Sequence, residues 1–233
     1  RSLASARERL GRPAMPAAPY RRLDAGAIGS VAAGYPLQLF AADDERLLDC
    51  VRYLLDECFV DGAFFQDMIH SGQNAYLTLQ VAQVLLRAGD ARYLELMDAV
   101  ARLASSTGQW PEAIHPQTGG GCMGDGHHVW AAAEWVLMLR NCFLREEGDS
   151  LVLAAGIPRR WLASGEPVAF GPAPTAFGTV TVRAEPEAAG RVRVSWEAHW
   201  HRAAPELRVD LPGYCVCGRD GTSVLLEPGS DAP

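Results

Sequence analysis

Glu112 follows Trp110-Pro111 and precedes a glycine-rich run, Gly119-Gly120-Gly121-Cys122, in a segment reading Gly108-Gln109-Trp110-Pro111-Glu112-Ala113-Ile114-His115-Pro116. Beyond it lies a nearly all-apolar stretch around Trp130, Ala133 and Glu134. A tryptophan face to stack on a ring, one fixed carboxylate and a pliable loop are what a carbohydrate-processing site needs. Hydrolysis of a glycosidic bond with inversion uses two carboxyl groups, one protonating the leaving oxygen and one activating water across the ring. Glu112, in a long loop just after Trp-Pro, fits the second role, with Trp110 as a wall of the sugar subsite. A solvated loop glutamate would have the same sequence, so spacing alone leaves both readings open.

Other polar groups gather near this segment or near a second long loop. Glu134 lies inside the apolar stretch, where a charge is costly unless paired, so it is expected to bond a loop backbone or an arginine. His127, Trp130 or Ala131, and Glu134 share one helical face by three- and four-residue spacing. Asp67, His70, Gln73 and Asn74 cluster beside Phe64-Phe65, a mixture that suits sugar hydroxyls and ring faces. Ser71 or Asn74 would equally serve as a helix cap. Asp67, His70, His115, His127 and Trp130 are therefore candidate secondary contacts to substrate. Tyr20, Arg21, Arg22 and Asp24 could also meet a sugar, or simply brace their loop.

Several chemistries lack support. His127-His128 with Asp125, Cys122 and His115 invites a metal reading, but adjacent helical residues diverge by roughly 100°. No recognised zinc spacing is present, and neither a metal nor a cofactor is expected. There is no Gly-x-Ser-x-Gly and no phosphate-binding Walker loop, which removes the basis for serine hydrolase and nucleotide readings. The net charge of -7 argues against nucleic acid. No run of eighteen uncharged apolar residues exists, so no membrane span is expected. Arg1-Ser2-Leu3 opens without an initiator Met or a signal-like apolar stretch, which reads as a processed or trimmed start. The six cysteines are scattered with no C-x-x-C pair, and a reduced, cytoplasmic protein is the simpler reading.

The elements that must position these groups are helical first and β-rich later. From about Asp43 to Phe59, Leu47, Leu48, Val51, Leu54, Leu55 and Cys58 recur at helical spacing, with Asp44, Glu45, Asp49 and Arg52 mostly on the other side. Asn74 to Leu86 is apolar all round and reads as buried. Ala91 to Ala104 is amphipathic again, and Val129 to Leu144 is apolar almost all round. Gly89-Asp90 makes a tight turn between the second and third helices. By contrast, long loops at about 60–73 and 105–126 precede the two buried helices, and a third spans 11–24. Long loops of this kind usually carry function. The alternation of outer and inner helices is the layout of helical hairpins in a ring. After Gly148 the period changes to two: Val180 and Val182, then Val192, Val194, Trp196, Ala198 and Trp200, alternate with polar neighbours. Leu207 to Leu211 and Val224 to Leu226 continue the pattern, while the Pro-rich 170–175 reads as a packed crossing segment.

The segment Gly108-Gln109-Trp110-Pro111-Glu112, followed by Gly121-Cys122 and by Val129-Trp130-Ala131 with Ala133-Glu134, resembles the last active-site segment of glucoamylase-type enzymes. It is at least as similar to that of the glycogen-debranching amylo-α-1,6-glucosidases. Both groups are six-hairpin α/α-barrel enzymes that invert the anomeric centre. The resemblance covers about Gly108 to Asn141, and it implies that Glu112 is the general base and that the helix from about Gly126 is the barrel's last inner helix. It also implies that the general acid comes from the first half of the barrel, so no residue of this chain inherits that role. Two departures stand out: Ala113 replaces the usual Gln, and a β-domain follows the last helix instead of preceding the barrel.

The expected fold is therefore α+β. Residues 1–148 would form helical hairpins, about the second half of an (α/α)6 toroid, and residues 149–233 a small antiparallel β-domain. The expected partner besides a carbohydrate substrate is the N-terminal barrel half, from the same precursor or a companion chain. The expected activity is inverting, α-glucosidase-like hydrolysis of an oligosaccharide or glycan. A non-catalytic glycan-binding or scaffold toroid is a second reading, and a glycoside phosphorylase, which would need a phosphate pocket, a third.

Overall fold

A computed structural model describes residues 2–68, 71–124 and 126–229. The chain combines helices with mostly antiparallel sheets, an α+β arrangement, in two compact units, Arg1–Met138 and Leu139–Pro233. No helix among the described residues is long and apolar enough to cross a membrane.

The first unit contains α1 (Ser2–Leu10), a 3-10 stretch (Ala25–Ala33), α2 (Glu45–Glu57), α3 (Ala75–Arg87), α4 (Tyr93–Leu103) and most of α5 (Val129–Phe143). Asp44 starts α2 by accepting the Arg46 N–H at 2.9 Å, and Leu47, Cys50, Val51 and Leu54 then bury one stripe. Asp49 departs from the solvated face that the periodicity assigns to it. It is buried, with Arg12 Nε and Nη2 donating to its two oxygens at 2.8 and 2.9 Å and the Ala14 N–H at 3.0 Å. The Arg12 guanidinium holds this carboxyl below its ordinary range. A partner so distant in sequence leaves no trace in a helical period. Asp24 accepts from Arg21 at 2.8 Å and from the Gly26 N–H at 2.9 Å, so the acidic and basic pair of the first loop braces that loop.

Helix α3 is buried on nearly all sides, from Tyr76 through Arg87, and Arg87 donates to the Gly34 carbonyl. Helix α5 is not buried as its composition predicts. Ala131, Glu134, Met138 and Cys142 face inward, whereas Val129 is 78% exposed, Val136 54% exposed, and Ala132, Ala133 and Leu137 join them outside. A helix apolar all round calls for neighbours on every side; among the described residues one side of α5 has none.

The two loops before α3 and α5 are also more ordered than expected. They contribute β1 (Phe59–Val60), β2 (Ala63–Gln66), β3 (Gly72–Gln73), β4 (Ala113–Ile114) and β5 (Gly121–Met123), which pair in that order as one antiparallel sheet. Strands of two to four residues are too short to show alternation. Gly72 is required at the crossing, because a Cβ there would lie 2.8 Å from Cys122 Sγ and 3.0 Å from Ala113 Cβ.

In the second unit β6 (Leu144–Glu147) follows α5 without a breaker and forms a hairpin with β7 (Ser150–Leu153). After the short helix α6 (Arg159–Leu162) come β8 (Val168–Pro174), β9 (Gly178–Pro186), β10 (Val192–Trp200), β11 (Glu206–Val209), β12 (Tyr214–Asp220) and β13 (Ser223–Pro228). The main sheet runs β12-β13-β10-β9-β8, and β11 joins β7 in parallel. Val180, Val182 and Ala184 on β9, Val192 and Val194 on β10, and Val224 and Leu226 on β13 are buried side chains of this one sheet. The Pro-rich 170–175 stretch is largely the edge strand β8, its register shifting between Phe170 and Ala173. Proline is tolerated on an edge because no ladder partner needs its missing N–H. The last turn of α5 belongs to this unit: Arg140 bonds Glu146 at 3.0 Å and the Pro174 carbonyl at 2.9 Å, and Phe143 stacks on Trp161 and Phe170. The compact boundary falls inside α5, between Met138 and Leu139.

Candidate active site

Glu112 stands one residue before β4, and its backbone is held from both sides. Its N–H donates to the Met123 carbonyl at 3.2 Å, and its carbonyl accepts the Asn74 Nδ2–H at 2.9 Å. Asn74 sits at the N-cap position of α3 but makes no side-chain capping bond, so its amide serves the Glu112 segment instead. Asn74 is itself clamped, donating its N–H to the Phe64 carbonyl at 2.9 Å and accepting the Thr78 hydroxyl at 2.7 Å. The two long loops therefore meet at the candidate base. Asn74→Ala is expected to leave the Glu112 carbonyl without this donor at a cost of about 1–2 kcal/mol. Thermal denaturation should show a midpoint lowered by several degrees, and an unchanged midpoint would deny the tie a structural role.

Beside Glu112 three rings gather, one from α3, one from α5 and one from the residue that precedes α5. Tyr76 of α3 lies 4.6 Å from Trp130 of α5, centroid to centroid with the planes 31° apart, and 4.8 Å from His128. Burial first, and then the negative charge of Glu112, push the Tyr76 phenol above its ordinary value. Its hydroxyl stays protonated and able to donate at neutral pH. Trp130 is 50% exposed, so Tyr76 backs the indole while part of it faces outward. The His128 N–H donates to the Trp110 carbonyl at 2.8 Å, tying the start of α5 to the Glu112 segment.

Glu134 supports the stack from below. Its Oε1 accepts the Trp130 Nε1–H at 3.2 Å and the Gln80 Nε2–H at 3.4 Å. It is 7% exposed, and its Oε2 is buried with no hydrogen-bond partner among the described residues. Burial raises its pKa, and the two hydrogen bonds pull in the opposite direction. The group expected to meet a loop backbone or an arginine is held by two neutral N–H donors.

The remaining candidates fall elsewhere. Trp110 is 4% exposed, donates its indole N–H to the Val100 carbonyl at 2.9 Å and packs 5.6 Å from Trp135. It is a core anchor, and its faces are not open to a sugar; the exposed indole is Trp130. His115 is exposed and braces its own turn, its Nδ1 accepting the Gln117 N–H at 3.2 Å. Asp67 is exposed at the end of β2, and its charge acts on Cys58. His127 lies 3.4 Å from Gln109 Nε2 and lines a cleft of about 510 Å³ with Arg102, Ser105 and Pro111. His70 lies outside the described residues. Sequence reasoning nominated neither Tyr76 nor Gln80, and weighed His128 only as a metal ligand.

Three solved structures to which the chain is similar are described as glycosidases. Two, one of them a wild type, give TM-scores of 0.48 at 19% identity, and a third, in complex with glucose, gives 0.47 at 18%. Each match covers 58% of this chain and 41% of the other, so the chain spans about two fifths of the length of those proteins. No protein-family profile and no curated protein matches the chain.

Proposed function

We propose that this chain carries the water-activating side of a glycoside hydrolase site, with Glu112 as general base. The observation that carries the reading is one carboxylate, pinned through its backbone to Asn74 and Met123, within electrostatic reach of Tyr76 in a ring stack whose outer member, Trp130, is half exposed. Stacked aromatics offer a flat apolar surface to a pyranose ring, and a carboxylate at its edge can take a proton from water. The finer reading is inverting, α-glucosidase-like cleavage of a gluco-oligosaccharide on a six-hairpin toroid, with the general acid outside this chain. The uncovered side of α5, formed by Val129, Ala132, Ala133, Val136 and Leu137, is the face on which the first half of such a barrel would pack. The free thiols of all six cysteines fit a reducing, cytoplasmic setting.

Incubating the intact enzyme with maltotriose and following product by proton NMR tests this reading. Inversion at an α-linkage delivers the β-anomer first. Early α-anomer would remove the inverting mechanism, and turnover only with inorganic phosphate would mark a phosphorylase. Binding without any turnover would leave a glycan-binding protein built on the same ring stack.

A further inference from the structure

We infer that Glu134 is a positioning residue that fixes Trp130 as the ring-stacking face for a neutral hexopyranose. This deepens the preceding reading and rests on it. Two pairs at four-residue spacing face each other, Tyr76 and Gln80 on α3 and Trp130 and Glu134 on α5. Spacing of this kind puts side chains one turn apart on the same helix face. One ring contact and two hydrogen bonds close the set: Tyr76 under Trp130 at 4.6 Å, Trp130 Nε1–H to Glu134 Oε1 at 3.2 Å, and Gln80 Nε2–H to the same oxygen at 3.4 Å.

An indole half exposed on a helix surface can take several rotamers, and ordering it costs conformational entropy. Here the indole N–H is captured from below and the ring is backed by a tyrosine, so the orientation is fixed before a ligand arrives. Such preorganisation raises affinity by removing an ordering cost from the binding step. Packing alone does not account for Glu134. A buried carboxyl without a cationic partner is costlier than an apolar side chain of its size, yet it stands here with one oxygen unpartnered among the described residues. The ligand class follows from charge. With Glu112 within electrostatic reach of the stack, a uronate or sugar phosphate would meet a carboxylate, whereas an uncharged ring would meet none of that repulsion.

The test uses the intact enzyme with maltotriose as the calorimetric probe, together with tryptophan fluorescence taken as the difference from Trp130→Phe. Glu134→Met should move the Trp130 emission toward that of a solvated, quenchable indole and raise Kd about tenfold. Glu134→Gln, which keeps the acceptor, should hold both within twofold. In the Trp130→Phe background Glu134→Met should change Kd no further, because the bond it supports is already gone. Unchanged Trp130 fluorescence in Glu134→Met, or Glu134→Gln as damaging as Glu134→Met, would overturn the inference. Should Glu134→Met not fold, a tenfold loss in Glu134→Gln would overturn it by itself. Failure of the unmodified enzyme to bind maltotriose would instead remove the sugar-site reading, and the fluorescence comparison would still decide whether Glu134 holds Trp130.

Discussion

Glu112→Gln in the intact enzyme is expected to lower kcat by about 100-fold or more, with KM changed little. Removing a general base typically costs two to four powers of ten, and 100-fold corresponds to about 2.7 kcal/mol of barrier. Glutamine is the informative replacement because what holds residue 112 is its backbone: the bonds to Asn74 and Met123 do not involve the side chain. The loop, the sheet and the ring stack should therefore persist while the proton acceptor is lost. Steady-state kinetics with maltotriose reads the outcome. Turnover within tenfold of the unmodified enzyme would mean that another group activates the water.

Trp110→Ala should produce the largest loss of stability, about 3–5 kcal/mol. The indole is buried, contacts Trp135 and satisfies the Val100 carbonyl. Truncation leaves a cavity and an unpaired acceptor together. Set against the total of roughly 5–15 kcal/mol that keeps a domain folded, the unit would be near unfolding at ordinary temperature. Trp110→Phe retains most of the volume but not the N–H, and should cost about 1–2 kcal/mol. Urea denaturation checks both, and a loss below about 1 kcal/mol for the alanine variant would show that the indole is dispensable to the core.

The contrast between Trp110 and Trp130 shows what could be read from the chain and what could not. Residue types identified a segment with one carboxylate, two tryptophans and a glycine loop, and helical spacing placed α2, α3, α4 and α5 where they are found. Which tryptophan faces solvent depends on what each meets. Trp110 meets Val100 and Trp135, and those contacts carry no local signal. Tyr76 went unnominated for the same reason, since a tyrosine in an apolar helix resembles any core residue until its neighbours on another helix are known. The strands inside the two long loops escaped because runs of two to four residues show no period. β6 escaped because helix passes directly into strand at Leu144. By contrast, β9 and β10 were plain in the alternation of valines, which long half-buried strands preserve.

Helix α5 begins in one compact unit and ends in the other. In an α-helix each N–H bonds the carbonyl four residues earlier, so the turn that leaves Met138 is hydrogen-bonded to the turn that precedes it. Compactness and heritability are then different partitions of this chain. A recombination event that kept only the first unit would discard the acceptors' partners along the last turn, and one that kept only the second would begin on a helix with no start. Descent can shuffle the β-rich part only by carrying α5, with Trp130 and Glu134 on it, as part of the cargo. A change in the β-rich part is in this way a change inherited together with the candidate stacking face.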